Sequence, residues 1–289
     1  MRLEWHAGTE ATGVAMNIGQ KPARRAVDHR ALPVFEAGAV EVPYVISGMD
    51  EIVSQDTFWE PHAHPTHELL WNLRGASTAT IGARTWTITP AVGLWIPAGT
   101  VHTGQAAAGT WYRAAQFGVH AAPSLSDVPV AVEVTTLLRC LLERLDDESL
   151  PADSRELTER LVLDVLAPSP HELLVQRPEH RLLAPIADAL LADPADRRTL
   201  SDWARQCGVS PRTITRAFAA ETGLNFSRWQ SAVRTQRAVM LLTRGGTVEE
   251  TAARLGYSSA SAFGVAFRRV TGQTPGSFTV RQGQATADR

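Results

Sequence analysis

Apolar positions in the last third of the chain recur at helical spacing, and they do so twice. Leu200, Trp203, Ala204 and Cys207 stand at i, i+3, i+4 and i+7, the stripe of a short amphipathic helix. Gly208-Val209-Ser210 interrupts it, and Ser210-Pro211 offers a capping hydroxyl and a proline suited to a helix's first turn. Ile214, Ala217 and Phe218 form the buried face of that next helix, which Thr222-Gly223 ends. Val248, Thr251, Ala252 and Leu255 repeat the first stripe 48 positions on, with Gly256-Tyr257-Ser258 as the turn. After one inserted residue the displacement is 49, and Phe263, Ala266 and Phe267 repeat the second face. Thr271-Gly272 and Phe278 likewise repeat Thr222-Gly223 and Trp229. Residues from about 226 to 243 lack Pro and Gly and set Trp229, Val233 and Met240 to one side, which predicts a connecting helix. The pattern is that of two helix-turn-helix units on a rigid connector. The connector spans roughly 27 Å, near the ~34 Å between successive major grooves on one face of DNA.

The middle of the chain reads differently. From Trp59, short apolar runs (Leu69–Leu73, Thr78–Ile81, Thr85–Thr89, Leu94–Ile96) alternate with Gly75, Gly82, Pro90, Gly93, Pro97 and Gly99. Short strands at such spacing predict a small antiparallel barrel or jelly roll. Residues 131–146 and 152–167 are helical in pattern, and Leu137, Leu138, Leu141, Leu142 and Leu145 give the first a wide apolar face. That face either packs on the barrel or forms a two-fold dimer interface. The expected class is therefore α+β: an antiparallel β-barrel or jelly roll with helices, then an all-α double helix-turn-helix domain. Expected boundaries are a flexible tail over 1–30, the barrel over 31–125, a helical pair over 126–170, a proline-marked linker over 171–181, the helix-turn-helix domain over 182–282, and a tail over 283–289.

Length and charge sharpen this division. A chain of 289 residues is long enough for two domains. Residues 1–177 carry 13 basic and 21 acidic side chains, a net −8, whereas residues 178–289 carry 15 arginines against 9 acidic groups, a net +6. A basic module joined to an acidic one fits a polyanion-binding half joined to a half with another task. No apolar run reaches the ~18 residues of a membrane span and no signal-peptide core opens the chain, so a cytoplasmic protein with no membrane partner is expected. Cys140 and Cys207 are expected to be buried free thiols.

Candidate chemistry lies in both halves. In the first helix-turn-helix, Arg212, Thr213, Thr215 and Arg216 face outward near the start of the second helix, where base edges are read. Each of these arginines can donate two bonds to guanine or contact phosphate alone. The second unit presents Ser259, Ala260, Ser261, Gly264 and Val265, a face without cation or amide, and carries Arg268 and Arg269 further along, where phosphate is the expected partner. The first unit is thus expected to supply most sequence discrimination. In the barrel, His62-x-His64, Glu68 and His102 are ligand types that a divalent transition metal accepts. They serve equally to hold strand ends or to line a pocket for an organic effector. His67 neighbours Glu68 on the same run and so faces the other way. Trp59, Trp71, Trp86, Trp95 and Trp111 are core by default; the parity of Trp71 and Trp95 sets them inside the barrel, as walls of an effector pocket.

These motifs carry two family resemblances. The run Ala252-Ala253-Arg254-Leu255-Gly256-Tyr257, then Phe263, Phe267-Arg268-Arg269, Gly272 and Pro275 to Phe278, resembles the AraC/XylS signature, as does the first copy from Leu200 to Trp229; the resemblance covers about residues 180–282. Thr279 departs from it, where the family often has a basic residue. Residues 55–105 resemble the two cupin motifs, with His62, His64, Glu68 and His102 at the family's metal-ligand positions, although Gln55-Asp56-Thr57 replaces the usual glycine before the first histidine. The resemblance implies a transcription regulator binding double-stranded DNA, a small-molecule effector or metal in the cupin, a homodimer formed through the helical pair, and contact with RNA polymerase where the protein activates. A ligand-independent regulator with the barrel as scaffold, and a metal-dependent cupin enzyme, are the alternatives.

Overall fold

The computed structural model describes residues 27–279. The chain first builds strands β1 (Val27–Arg30), β2 (Ile46–Ile52), β3 (Asp56–His62), β4 (His67–Arg74), β5 (Ser77–Ile81), β6 (Arg84–Ile88), β7 (Val92–Ile96), β8 (His102–Ala106), β9 (Trp111–Phe117) and β10 (Val130–Glu133). They form two sheets, the second of which runs β10-β7-β4-β9-β2. The first runs β1-β3-β8-β5-β6 and gains β11 (Leu174–Gln176) as its far edge. Pairing is antiparallel except between β1 and β3. Alternation along the strands sorts the side chains by face. Ala79, Trp86, Ile88, Leu94 and Ile96 from both sheets share an interior core. Leu69, Trp71, Trp95, Ala115 and Phe117 turn to the outer face of the second sheet. There α1 (Thr136–Leu145) and α2 (Ala152–Val165) cover them through Leu138, Leu142, Leu145 and Val162.

Several expectations change here. Residues 27–30 of the expected tail are a strand, held because Arg30 grips Glu51 on β2 with two bonds of 2.6 Å; residues 1–26 and 280–289, with the rest of the tails, lie outside the described residues. The first helix starts later than expected, since Val130–Glu133 pair with β7 as an edge strand. Cys140 is exposed and Cys207 half-buried, so neither thiol is buried as expected. Leu137 points to solvent on α1, as do Leu157 and Leu161 on α2. No helix among the described residues is long and apolar enough to cross a membrane.

The helical domain comprises α3 (Ala184–Ala192), α4 (Leu200–Cys207), α5 (Pro211–Thr222), α6 (Phe226–Thr243), α7 (Val248–Arg254), α8 (Ala260–Thr271) and a 3-10 turn, Pro275–Phe278. The internal repeat reaches down to its caps. Thr199 with Asp202 and Thr247 with Glu250 each close a reciprocal capping box at the start of α4 and α7. Ser210 and Ser259 cap α5 and α8, and Gly223 and Gly272 end them in the left-handed conformation. Trp229 packs 5.2 Å from Phe218, and Phe278 packs 5.2 Å from Phe267. The first half of α6 belongs to the core of the first unit, through Phe226, Trp229 and Val233. Its second half belongs to that of the second, through Ala238, Val239 and Leu242.

The expected linker contains β11, and it joins the two halves tightly. Leu174 packs on the interior core of the sandwich, while Val175 sits in the core of the first helix-turn-helix. Leu173, on the same side as Val175, is buried with Ala76 in the core of the second. Trp229 Nε1 donates to the Gln176 carbonyl at 2.6 Å, and Gln176 Nε2 donates to the Glu221 carbonyl at 2.7 Å. Further along α6, Gln236 Nε2 donates to Thr87 Oγ1 on β6 at 3.1 Å. A Val175→Asp variant would bury a carboxylate without a partner, at a cost on the order of 3–5 kcal/mol. The expected outcome is two calorimetric transitions, with the helical domain melting first, where the parent shows one. A single transition in the variant would overturn the shared role of β11.

Candidate functional site

The histidine cluster lies between the two sheets. His62 and His102 are register partners across β3 and β8, with ring centroids 4.2 Å apart. Pro61, which cannot donate to the ladder, falls where the β3–β8 register slips, between Trp59 and His62. His64 follows in extended chain, its ring 5.0 Å from that of His62 and 5.6 Å from that of His102. Gly99 fixes this loop: its N–H donates to the His64 carbonyl at 2.8 Å, and at φ +72° a Cβ would lie 2.9 Å from the Ala37 nitrogen. Glu68 reaches in from β4 on the other sheet. Its Oε1 lies 3.4 Å from His64 Nε2 and its Oε2 3.4 Å from His102 Nε2.

The surroundings set the donor atoms. His62 Nδ1 lies 2.7 Å from the Glu60 carbonyl and His102 Nδ1 2.9 Å from the Thr100 carbonyl. A carbonyl only accepts, so each Nδ1 carries a proton, and in a neutral ring Nε2 is then the nitrogen with the lone pair. One ligand-capable nitrogen from each of His62, His64 and His102 lies within 4.8 Å of the others. Burial, with His102 and His64 beside it, pushes the His62 imidazole down to about 4, so it is neutral at pH 7. Burial alone would raise the Glu68 carboxyl, but the facing His64 and His102 outweigh it and hold it well below the carboxylate range. The same carboxylate outweighs burial at His102 and raises that group. Glu68 Oε2 is buried without a hydrogen-bond partner. A carboxylate oxygen without a well-formed hydrogen bond, facing imidazole nitrogens that can give up their protons, fits a divalent transition metal, which would satisfy all of them at once.

Gln116 completes the arrangement and is out of reach of sequence reading. It pairs with Glu68 across β4 and β9, donates to Glu68 Oε1 at 2.8 Å, and is itself oriented by the Thr66 hydroxyl. No local spacing links Thr66, Glu68 and Gln116; only the sheet register does. His67 turns away from the cluster, stacks on Trp95 at 5.4 Å and accepts from the Ala98 N–H.

A cavity of about 80 Å³ adjoins the cluster, bounded by Met49, Trp59, Leu70, Ile88, Tyr112 and Ala114 among others. The tryptophan expectation needs correction here. Trp95 is not at this cavity; it lies fully buried in the outer core beneath α1 and α2, because β7 turns Leu94 and Ile96 inward. Trp71 borders the cavity, yet it packs in that same outer core and lies under the Arg113 guanidinium. Trp59, expected only as core, is the tryptophan of the inner wall; it stacks edge-on against Tyr112 at 5.1 Å.

On the helical domain, Arg212, Thr213 and Arg216 are exposed on α5 and Thr215 half-exposed, its hydroxyl donating to the Pro211 carbonyl. On α8, Ser261, Arg268 and Arg269 are exposed and Ala260 and Gly264 half-exposed, with Ser259 exposed at the cap. A Cβ at Gly264 would meet nothing, and Val265 is 62% exposed, so this face is shallow and apolar as well as hydroxyl-bearing. Arg212, Arg216, Arg268 and Arg269 form no ion pair among the described residues, whereas Arg198 and Arg205 are each matched to an aspartate.

Comparison with known proteins bears on both regions. The family model described as the AraC-like ligand binding domain matches residues 43–163, and the one described as a helix-turn-helix domain matches residues 203–281. The chain is similar to the HTH-type transcriptional regulator NimR of Escherichia coli K12, with 28% identity over 81% of this chain and 85% of that one. It is similar to the HTH-type transcriptional regulator RipA of Corynebacterium diphtheriae at 38% identity, over 35% of this chain and 30% of RipA. Among solved structures, an apo ToxT variant from Vibrio cholerae aligns over 83% of this chain and 98% of its own, at 9% identity and a TM-score of 0.34.

Proposed function

Since this chain belongs to the AraC-type transcriptional regulators, joining an AraC-like ligand binding domain to a DNA-binding helix-turn-helix domain, we propose that it regulates transcription in response to a divalent metal, or a small molecule beside it, in the jelly-roll cavity. The observation that carries this reading is the cluster of His62, His64 and His102, with the orphaned Glu68 oxygen beside it, at the end of a cavity whose wall is docked on the DNA-binding half. Ile88 borders the cavity on β6, and the neighbouring Thr87 accepts from Gln236 on α6. A change of shape at this cavity wall is thus one residue from the helix that spaces the two recognition helices. When bound, the metal would supply a fixed positive charge; the four side chains would hold it, and Gln116 would orient Glu68. The relatives are transcriptional regulators, which supports regulation over catalysis. Exposure of Leu137, Leu157 and Leu161 on the helical pair supports a homodimer formed there.

In this reading Arg212 and Arg216 read bases from α5, with Thr213 and Thr215 beside them. Ser259, Ala260, Ser261 and Gly264 let α8 approach closely, and Arg268 and Arg269 take phosphates.

Two measurements test the proposal. Purified protein is expected to carry near-stoichiometric metal, lost in His62→Ala and His102→Ala variants, and its removal by a chelator should change affinity for specific DNA several-fold. Unchanged DNA affinity after complete metal loss would overturn the regulatory role. In binding assays, Arg216→Ala should relax the preference at one base pair by about 1–3 kcal/mol. Arg268→Ala should weaken all sequences alike and lower the salt slope by about one. Equal base-substitution penalties in both half-sites would refute the division of labour between α5 and α8.

A further inference from the structure

The charges around the cavity restrict what can sit in it. We infer that the effector is a compact, mostly apolar monoanion, bound beside a divalent metal on His62, His64, Glu68 and His102. This rests on the metal reading above. Three imidazoles, each neutral once it ligates the metal, and one carboxylate would leave a divalent ion with a single uncompensated positive charge. An uncompensated charge is costly in a buried, largely apolar space, and one anionic group removes it. A second negative charge would find no cation without a counter-charge, although the Arg113 Nε at the wall is buried without a hydrogen-bond partner. Arg113, at the cavity wall, is already paired with Asp146. Arg30, another cation on that side among the described residues, lies 5.4 Å over Trp59, and both Glu51 and Asp28 already neutralise it.

Most of the remaining wall disfavours a polar body, Thr78 and Gln105 being the exceptions. Met49, Trp59, Leu70, Ile88 and Ala114 are apolar. Tyr112 and Ser77, also at the wall, have spent their hydroxyl protons: Tyr112 donates to Glu51 at 3.1 Å and Ser77 to Asn72 at 3.2 Å. Size is limited as well. At about 10–15 Å³ per water-sized sphere, a cavity of about 80 Å³ holds on the order of six such spheres. The ligand is therefore small. Gly104 keeps this space open, since a Cβ there would stand 3.1 Å from the Trp59 ring.

Cobalt(II) loading of the full chain tests the inference, because its visible spectrum reports the metal's ligands directly. Isobutyrate has the size and charge required; isobutyramide matches its shape without the charge, and succinate adds a second charge. Isobutyrate is expected to shift the cobalt bands and to bind at least tenfold more tightly than either comparator, with no heat of binding in metal-free protein. Gly104→Ala should keep cobalt and weaken isobutyrate several-fold. Failure to take up cobalt would refute the metal reading itself. Cobalt bound but indifferent to isobutyrate, succinate binding equally well, or isobutyrate binding without metal, would each overturn the inference while leaving the metal site standing.

Discussion

Side-chain alternation across three residues couples the two halves of this molecule. Leu173 and Val175 lie on one side of the chain and Leu174 on the other, so a single extended segment is buried in three cores. Because β11 is hydrogen-bonded to β6, it cannot slide or turn over without exchanging its inward and outward faces. The sandwich therefore fixes where Leu173 and Val175 stand, and these fix the cores on which α5 and α8 are built. A connection made only of polar loop would have left the two domains free to reorient.

The DNA-binding half is readable from sequence almost to the residue, and the reason is local. Its helices begin at Thr199, Ser210, Thr247 and Ser259 because a side-chain oxygen three residues upstream satisfies a backbone N–H. Helices α5 and α8 both end at glycines that adopt a conformation other residues resist. Such signals act over four residues, and the repeat states them twice. The sandwich is readable only in outline. Val27–Arg30, Val130–Glu133 and Leu174–Gln176 are short edge strands that exist through pairing with distant partners, and nothing in their own composition announces it. Parity counted along the run alone misplaces Trp95 for the same reason, since the face a strand position takes is set by its register.

The cluster divides along that line too. His62, His64 and Glu68 share one short stretch, and His102 follows a Pro-x-Gly turn, so all four are visible as a motif. What makes the motif a site is non-local: the His62–His102 pairing across the first sheet, and Gln116 opposite Glu68 in the second. The carboxylate and the imidazoles come from different layers of the sandwich. Their spacing therefore depends on how the two sheets pack, and anything that binds among them acts on both sheets.

That dependence sets the strength of any coupling to DNA. The contacts between the halves are few and of two kinds. Arg244 and Asp56 form a partly exposed pair at 3.2 Å, a type worth about 0–1 kcal/mol. The buried Leu173, Val175 and Ala76, with the Trp229 and Gln236 hydrogen bonds, carry most of the docking. A ligand shifts such an equilibrium only by its difference in affinity between the docked and released arrangements. Ligands that merely filled the cavity would bind both alike and change nothing. One that draws Glu68 toward His62 and His102 pulls on opposite sheets, and the first of these carries β6 and β11. In the proposed reading, what would qualify the cluster as a sensor is thus its position between the layers, more than the identity of its side chains.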